Sequence, residues 1–588
     1  MATHRTVNPP TASNDGACPW PQLACDSSWR RRPSPLEFAS GAALPGRGRR
    51  ARLDWAAAAA GVLAALWAAR AEAADYYVDQ AHPSSADTNP GTEAEPWLTI
   101  QHGADQAEAG DTVYVKAGTY PERVRLTTSG DSNDPIALVA EPSRSVLMHG
   151  FTVGADYLRI GGFEITSSDE FTGWNEVQGV FLGGSHVQIV DNYIHDLSST
   201  AIAGAWSDPL PVAARILNNT IDAIQMGITI QGEDWVVEGN EVSRLIMYGD
   251  GGDCDYMRFF GTGHSIRNNF LHGTDFDEIG DAHVDCFQTF TNNGEITHDI
   301  SFDSNVCYDF HQGLMASNVE GTDTSDFLFT NNVFAHGGAW GLCVEDVPRV
   351  VVLNNTFYDI AYHGAGFRGV STGNVVENNI FAQISSSYWA EEDSEVAGDY
   401  NLIFDANEPD APGPNDLLDT DPRFVDPEHN DFRLEAESPA VDSGNAREEV
   451  DHDLTGLARP QGQGWDIGAY EYSDGSGGSA GAPATGGAGG LSGGSAGSPA
   501  TGGASGQTGG SAGGPATSGA SGNSGVGESG SSGAAGDTDD SEPAAADSES
   551  AAADGGCGCA VAGAQGPASA GGLGLAAALL LVLRRRRQ

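Results

Sequence analysis

The sequence predicts an all-β protein whose globular part is a parallel β-helix. An asparagine, often doubled, precedes a short apolar stretch again and again between residues 191 and 381, at spacings of 21 to 36 residues. Periods in the twenties built from short β-type runs indicate a solenoid. The runs alternate as strands do. A leucine-rich repeat is excluded because its fixed frame of leucines is absent.

The repeated asparagine is expected to lie at one bend of every turn. The asparagines of this set are Asn192, Asn219, Asn240, Asn269, Asn305, Asn332, Asn355 and Asn379. Stacked turns lie about 4.8 Å apart, so side-chain amides at this bend can bond along the stack, and Asn tolerates left-handed backbone there. The positions two residues later are all apolar and are expected to face the core: Ile194, Ile221, Val242, Leu271, Cys307, Phe334, Phe357 and Phe381.

The chain before the solenoid contains a predicted export signal. Residues 1–46 are rich in Pro, Ser and Arg without a periodic pattern, and we interpret them as disordered or as an upstream mis-start of translation. Residues 47–73 combine a basic stretch, a short apolar run and an Ala-x-Ala site. This order is typical of a secretory signal peptide, and the run is too short for a transmembrane helix. We therefore expect export.

Residues 75–472 form the predicted β-helix domain and carry nearly all of the charge. They hold 15 Lys and Arg against 67 Asp and Glu, in a chain of 588 residues whose formal net charge is −53. Nucleic-acid binding requires basic patches, so this balance argues against a nucleic-acid partner. Eight cysteines are too few for a disulfide scaffold.

The C-terminal part predicts a tether. Residues 473–556 are a Gly/Ser/Ala/Pro/Thr tract that cannot bury a core, which is typical of a flexible low-complexity linker. Residues 557–588 contain Cys557-Gly558-Cys559, an apolar run and four arginines. This order resembles the myxobacterial-type C-terminal sorting signal. The resemblance implies attachment at the cell surface or outer membrane, with a processing protease acting near the cysteines; an ordinary hydrophobic membrane anchor is the alternative.

Both ends of the predicted domain resemble known β-helix proteins. The run from Gly110 to Tyr120 (GDTVYVKAGTY) is similar to the opening of secreted right-handed β-helix proteins, including pectate-lyase-like polysaccharide lyases. The segment from Thr420 to Tyr472 resembles the closing part of bacterial surface β-helix proteins with varied anchors. These resemblances imply a right-handed, exported solenoid. They specify no reaction, because fold does not imply function.

A second strand, aligned across turns, carries the candidate site. Most turns have glycine at its second place: Gly179, Gly227, Gly313, Gly341 and Gly364. One turn has Asp285 there, and alignment with the preceding turn places Asp255 next to Asp285 and Asp253 next to His283, with His311 close to that column. Carboxylates stacked about 5 Å apart repel each other unless a proton or cation lies between them. This cost is the reason to suspect a functional site.

The alternation of that strand predicts which side chains share its surface. Those expected to point outward are Asp255, Asp285, Thr289, Ser317, Glu345 and Arg368, whereas Ile228, Ile230, Leu314 and Leu342 are expected to point inward. The acidic insertion at residues 274–281 is expected to form a lip over the resulting groove.

Three hypotheses remain open for these acids. In the first, Ca²⁺ is bound by Asp253, Asp255, Asp281 and Asp285, since calcium takes hard oxygen ligands. The catalytic residues are then His283, Asp285, His311, Glu345 and Arg368, with a histidine as base and the arginine meeting an anionic substrate, as in a lyase. In the second, Asp255 and Asp285 are the acid and base of a glycosidase. In the third, the acids are a solvated face of a very acidic protein.

Two departures from known families qualify the first hypothesis. Lys116, near the start of the domain, is the only lysine, so the groove has no lysine base, and the Asn-Thr-Asp, Asp-Asp and Gly-His-Gly series of β-helix polygalacturonases is absent. The negative charge repels polyuronates unless Ca²⁺ bridges them. We predict a surface protein that acts on extracellular polysaccharide by metal-assisted, lyase-type cleavage. The alternatives are a glycoside hydrolase and a non-catalytic adhesin or glycan-binding protein.

Cysteine and tryptophan give two further expectations. Cys254 and Cys286 lie in adjacent turns, and a disulfide between them is one possibility in an exported protein. Candidates for a sugar-stacking track are Trp174, Trp206, Trp235, Trp340 and Trp389, although packing explains them equally well. Trp340 falls at an inward position of the aligned strand, which favours packing.

Overall fold

The computed structural model describes residues 73–474, apart from 168–175, 207–208, 248–252, 281, 292–293, 295, 319–320, 408 and 410. Several predictions fall outside the described residues: the disordered start, the signal peptide before residue 73, almost all of the linker and the C-terminal anchor segment. Asp281 also lies outside them. Within these residues, 28 strands form one continuous sheet whose ladders are all parallel and join successive turns. The predicted parallel β-helix is therefore confirmed. No helix of the described part is long and apolar enough to cross a membrane.

The sheet has three faces, which we number in the order in which a turn passes through them. Face 1 precedes the repeated asparagine. Its strands are β1 (Asp75–Val78), β2 (Thr112–Thr119), β4 (Ile136–Met148), β6 (Leu158–Gly161), β9 (Gln188–Val190), β11 (Arg215–Leu217), β13 (Val236–Glu238), β16 (Ser265–Arg267), β19 (Thr297–Asp303), β21 (Ser325–Thr330), β23 (Val350–Leu353), β25 (Asn374–Glu377) and β27 (Val396–Asp399). The end of β4 continues onto face 2.

Faces 2 and 3 share several long strands that bend from one face to the other. Face 2 alone contains β7 (Glu164–Ile165), β14 (Glu241–Leu245), β17 (Phe270–His272) and β28 (Leu402–Asn407). Face 3 alone contains β3 (Val124–Leu126), β5 (Phe151–Val153), β8 (Val180–Leu182), β15 (Asp253–Thr262) and β18 (His283–Phe290). The strands that run through both are β10 (Tyr193–Gly204), β12 (Thr220–Glu233), β20 (Val306–Ser317), β22 (Val333–Glu345), β24 (Thr356–Arg368) and β26 (Ile380–Ala390).

The asparagine ladder is confirmed at the bend between faces 1 and 2. In each pair the Nδ2 of one asparagine donates to the Oδ1 of the asparagine in the next turn, at 2.9 to 3.1 Å, from Asn192 through Asn379 to Asn401. The ladder side chains are buried. The residue just before each ladder position takes the left-handed backbone, as Asn268 does at φ 54°. The first asparagine of a doublet therefore makes the bend and the second makes the ladder.

The interior is filled as the apolar column predicts. All eight predicted members of that column are at most 1% exposed and pair in register from turn to turn. A helix at Ile100–Gln106 packs Ile100 and Ala104 into the same core, and Thr99 caps it by accepting a hydrogen bond from the His102 amide. Burial of this continuous apolar column is the main force that holds the turns in register.

A closing segment after β28 covers the outer side of face 2. It contains the antiparallel pair β29 (Phe424–Asp426) and β30 (Asp431–Leu434), joined by a 3₁₀ turn at Pro427–His429. Its apolar side chains Phe424, Phe432 and Ile467 form a second core. They pack with three outward residues of face 2, Ala335, Tyr358 and Ala382.

Candidate functional site

The predicted acids and histidines meet on face 3. Asp253 of β15 pairs with His283 of β18, and Asp255 pairs with Asp285, as the alignment predicts. The Asp285 position continues along the solenoid with Gln312, Trp340 and His363. We call this row, from Asp255 to His363, the central column. We call the group formed by Asp253, Asp255, Arg258, His283, Asp285 and His311 the Asp–His centre.

The predicted alignment of Asp285 with the repeated glycine is wrong by one residue. Asp285 pairs with Gln312 and Phe287 pairs with Leu314, so Cys286 is the residue beside Gly313. Cys286 and Phe287 are consecutive, yet both belong to the buried core. This local break in strand alternation shifts the outward positions by one, and a strict period of two does not anticipate it.

The same break changes the outward set. Thr289 pairs with Ala316, which lies in the core, so Thr289 faces inward and is 1% exposed, contrary to the prediction. Its hydroxyl contacts the Thr297 hydroxyl at 3.2 Å. Trp340 lies in the central column and packs with Met315 in a cluster separate from the solenoid core, although Leu342, two residues later, enters that core.

Asp255 and Asp285 each accept a hydrogen bond from the residue three positions later on the same strand. Arg258 donates from Nε to the Asp255 carboxylate at 2.5 Å, and its Nη2 donates to Asp253 at 2.9 Å. Gln288 donates from Nε2 to Asp285 at 2.8 Å. The Asp285 amide donates to Asp255 Oδ1 at 3.3 Å. Sequence reasoning missed Arg258 and Gln288, although their equal spacing from two aligned acids is a visible signal.

Burial favours the protonated form of both central acids. Asp255 and Asp285 are both 0% exposed. Burial raises the pKa of Asp255 to about 6, against the opposing effect of the Arg258 charge. Burial and then the negative charge of Asp255 raise the pKa of Asp285 well above its ordinary value, and the Gln288 hydrogen bond only partly opposes this. These shifts favour the protonated form of Asp285, which lowers the repulsion expected between stacked carboxylates.

The geometry does not fit a bound Ca²⁺ at these acids. Arg258 already donates to carboxylate oxygens of both Asp253 and Asp255. Calcium requires several ionised or carbonyl oxygens around one point. Among the described residues, no group of three His, Cys, Asp or Glu is arranged to hold a metal ion. The predicted fourth ligand, Asp281, lies outside that part of the chain.

The two histidines differ in what they can do. His283 is exposed, and its ring centroid lies 5.7 Å from that of His311. The Val284 amide donates to Nδ1 of His311 at 3.0 Å, so the neutral ring carries its proton on Nε2. Burial, with a smaller effect of His283, lowers the pKa of His311. His283 is therefore the more accessible proton acceptor, and His311 acts as a donor through Nε2.

The acidic insertion borders this centre. Residues Phe276–Ile279 form a short helix whose N-cap, Asp275, accepts from the Asp277 amide. The Phe276 ring lies 4.6 Å from the His311 ring, and Ile279 is buried in the core. The described part of the insertion thus sits beside the histidines, as the predicted lip requires.

Glu345 and Arg368 do not join the Asp–His centre. Glu345 lies two turns beyond Asp285 and five residues further along its strand than the central column, which is about 10 Å along the axis and about 17 Å along the strand. Arg368 pairs with Glu345 in the next turn. Its Nε donates to Glu391 at 3.0 Å, so its charge is already paired. Ser317 shares their outward column, as predicted.

The far end of the central column carries three aromatic rings. Trp340 and His363 lie 4.3 Å apart between ring centroids, and Trp389 lies 5.9 Å from Trp340 and 5.3 Å from His363. Of the other predicted tryptophans, Trp235 is buried in the core and Trp206 is 44% exposed against Phe260. Trp174 lies outside the described residues. His363 is the aromatic member of this group that the sequence did not single out.

A disulfide between two described cysteines differs from the pair considered in the sequence. Cys286 bonds to Cys307 across 21 residues, and Cys254 is a buried free thiol. Cys307 is buried as predicted, but as half of a disulfide. Burial raises the pKa of the Cys254 thiol to about 12, so this thiol is unreactive near neutral pH.

Sequence comparison relates the chain to β-helix proteins. Residues 76–244 match the family described as Pel9A-like, right-handed β-helix region, and residues 210–381 match the right-handed β-helix region. These matches support the pectate-lyase-like, right-handed form of the parallel solenoid. The chain is 28% identical over 183 residues to the uncharacterized protein YwoF of Bacillus subtilis, covering 27% of this chain and 38% of that protein.

A second curated relative is an enzyme, matched over a short segment. The chain is 40% identical over 91 residues to pectate lyase PEL9 of Emericella nidulans, covering 15% of this chain and 21% of the enzyme. The matches thus span well under half of either relative. Similar solved structures include pectate lyase Pel9A (TM-score 0.41, 15% identity, 69% of this chain and 98% of that one). Another is XylC in complex with xylose (TM-score 0.42, 13% identity, 67% and 98%).

Proposed function

We propose that this protein is carbohydrate-active: it binds an extracellular polysaccharide along face 3 and cleaves it by acid–base catalysis at the Asp–His centre. The observation that carries the proposal is the pairing of Asp255 with Asp285, two fully buried acids whose pKa values are raised, beside the exposed His283. Strongly perturbed acids next to an accessible base are typical of catalytic centres. The segment shared with a pectate lyase supports a polysaccharide as the substrate.

A lyase-type reaction is the first chemistry to consider. It requires a base that removes a proton beside a sugar carboxylate, and positive charge that stabilises the resulting anion. His283 would be the base, with His311 Nε2 as a donor nearby. Arg258 would supply the positive charge, although its guanidinium is already paired with Asp253 and Asp255. Glu345 and Arg368 would contact the polysaccharide several turns away from the bond that breaks.

Hydrolysis is a second candidate, favoured by the raised pKa of Asp285. A glycosidase needs one carboxyl group that is protonated and one that is ionised. Arg258 favours the ionised form of Asp255, whereas burial and the charge of Asp255 favour the protonated form of Asp285. Both carboxyl groups are fully buried, so either chemistry requires the surface above them to open when polysaccharide binds.

Calcium assistance stays a prediction with little support from the geometry. Arg258 occupies the acceptors that a cation would need, so a metal ion would have to displace it or bind with residues outside the described part. No step of the proposed reaction requires a metal ion.

We also propose export and attachment at the cell surface. The signal peptide at 47–73 and the C-terminal segment at 557–588, with its processing protease or membrane anchor, are inferred from sequence patterns alone. The linker would hold the β-helix away from the membrane, where extracellular polysaccharide is accessible. A non-catalytic adhesin is the outcome if glycan binds and no product forms.

The test is incubation of the full chain with a panel of polysaccharides, with and without Ca²⁺. Ultraviolet absorbance detects unsaturated lyase products, and reducing-end assays detect hydrolysis. Replacing the proton-transfer groups, Asp285→Asn or His283→Gln, should lower the rate by about 100-fold or more. The matched control is Asp222→Asn, which removes an arginine-paired carboxylate on face 2 and should leave the rate unchanged. Full activity in both Asp285→Asn and His283→Gln would refute the proposed centre.

A further inference from the structure

The three-ring group at the far end of the central column is built into the strands. Gly366 of β24 lies beside it, and a Cβ there would come within 2.4 Å of the Trp340 ring and 2.8 Å of Trp389 Nε1. The missing side chain is what lets both indoles lie against the strand. Met315 packs below Trp340 in the same outer cluster, which is separate from the solenoid core. Trp340 is only 7% exposed, whereas His363 and Trp389 are half-buried, so these two rings provide the accessible part of the surface. A supported aromatic surface of this kind suits the apolar face of a sugar ring.

Polar atoms beside these rings lack partners. Nδ1 of His363, Nε1 of Trp389 and Oε1 of Gln312 are buried without a hydrogen bond to any described residue. Burying a polar group in this state is costly, and such groups are normally satisfied by protein, water or ligand. Indole N–H donates and an amide oxygen accepts, so sugar hydroxyls, which do both, match this set. Burial lowers the pKa of His363, so its ring is neutral near pH 7.

The charge of face 3 disfavours an acidic ligand. Its described strands contain three arginines and no lysine, and each of these arginines is engaged by a carboxylate: Arg125 by Glu176, Arg258 by Asp253 and Asp255, and Arg368 by Glu391. A polyuronate would find no unpaired cation there, and it would face the net negative charge of the domain.

From these observations we infer that face 3 takes an uncharged glycan, one of whose sugar rings lies on Trp340, His363 and Trp389. The inference rests on the proposed function, since it assigns a substrate class to the same groove. An uncharged glycan lacks the carboxylate that makes the neighbouring proton acidic, so cleavage would then be hydrolysis: water adds to the anomeric carbon and the glycosidic oxygen leaves with a proton.

The experiment measures binding of cellohexaose, xylohexaose and hexagalacturonate to the full chain by calorimetry, the last with and without Ca²⁺. At least one neutral hexasaccharide should bind about tenfold more tightly than hexagalacturonate, because only the charged ligand is repelled. The affinity of that neutral hexasaccharide should not change between about 50 and about 500 mM NaCl, since no ion pair forms.

Trp389→Ala should weaken binding about tenfold, and Gly366→Ala, which displaces the indoles, should do the same. Tyr114→Ala, which removes a stacked aromatic of face 1, is the control and should bind normally.

The outcomes separate the two claims. Hexagalacturonate that binds more tightly than both neutral ligands, or salt-sensitive binding, would overturn the inference and leave the polysaccharide groove intact. Unchanged affinity in both Trp389→Ala and Gly366→Ala would overturn the aromatic subsite. Absence of binding to all three ligands would overturn the inference together with the proposed function.

Discussion

Arg258 sets the chemistry of the Asp–His centre. Its side chain is 18% exposed and bridges Asp253 and the fully buried Asp255. A paired guanidinium inside the protein supplies the positive charge that otherwise must come from a bound cation. Asp285, one turn further on, accepts from the Gln288 amide in the corresponding position, and its pKa is raised by burial and by the charge of Asp255. The residue three positions later thus favours the ionised form at Asp255, whereas Asp285 has no cationic partner of its own.

Replacing Arg258 tests this arrangement. Arg258→Met leaves two carboxylates unpaired, one of them fully buried, and should lower the free energy of unfolding by about 3 kcal/mol. Ca²⁺ should raise the melting temperature of this variant, because freed carboxylates are hard oxygen ligands. The melting temperature of the wild-type chain should change with neither Ca²⁺ nor EDTA. The control Arg244→Met breaks the more exposed pair with Asp222 and should cost less than about 1 kcal/mol. A wild-type melting temperature that falls in EDTA would show a bound metal ion.

The sequence predicted the turn-to-turn neighbours of this centre but not its outward positions. Asp255 beside Asp285, and Asp253 beside His283, follow from aligning repeats, because turns of a solenoid stack in register. The position of Thr289 does not follow, since Cys286 and Phe287 both enter the core and shift the alternation. Arg258 was missed because repeat alignment compares turns, whereas its contacts run along one strand.

At the scale of elements, the asparagine doublet divides two tasks between neighbours. Asn268 takes the left-handed backbone at the bend and is exposed. Asn269 is buried; it donates to the Asn305 side chain and to the Val237 carbonyl, and it accepts from Asn240. The sequence predicted the bend and the ladder because one residue type repeats there. The disulfide between Cys286 and Cys307 was not predictable in this way, because neither cysteine repeats.

Alanine substitutions within one doublet should separate these tasks. Asn269→Ala removes a ladder amide and leaves its buried neighbours without partners, which should cost about 3 kcal/mol of unfolding free energy. Asn268→Ala should cost about 1 kcal/mol, the strain of a left-handed alanine. Asn268→Gly should be nearly neutral, because glycine takes this backbone freely. Denaturant unfolding measures all three variants. Equal losses for Asn268→Ala and Asn269→Ala would contradict the division.

At the scale of the whole molecule, the closing segment is bonded to neighbouring turns of the solenoid. Asn354 and Asn378, bend residues of two turns, donate to the backbone carbonyls of Asp466 and Asn445. Arg459 and Glu471, both fully buried, form an ion pair within the segment. Because this segment covers the outer side of face 2, its last described residues lie on a different face from the proposed groove. A polysaccharide on face 3 and the proposed tether therefore need not compete.

The contact between His452 and Asp303 makes this closure dependent on pH. The two side chains lie 3.0 Å apart. The Asp303 hydrogen bond raises the pKa of His452 to about 9, against burial, and the pKa of Asp303 is lowered by His452 although burial opposes this. The histidine contribution is thus complete below its unfolded pKa of about 6.5 and lost as pH rises through about 9. Because His452 is 38% exposed, solvent screening reduces this contribution to about 1 kcal/mol.

Hydrogen exchange in residues 411–474 should therefore quicken between pH 7 and pH 10 beyond the intrinsic rate, by about fivefold. His452→Gln should remove this extra pH dependence, and exchange on face 1 strands, such as β11, should lack it in both proteins. An unaltered pH profile in His452→Gln would assign the closure to other contacts, such as the pair of Arg459 with Glu471.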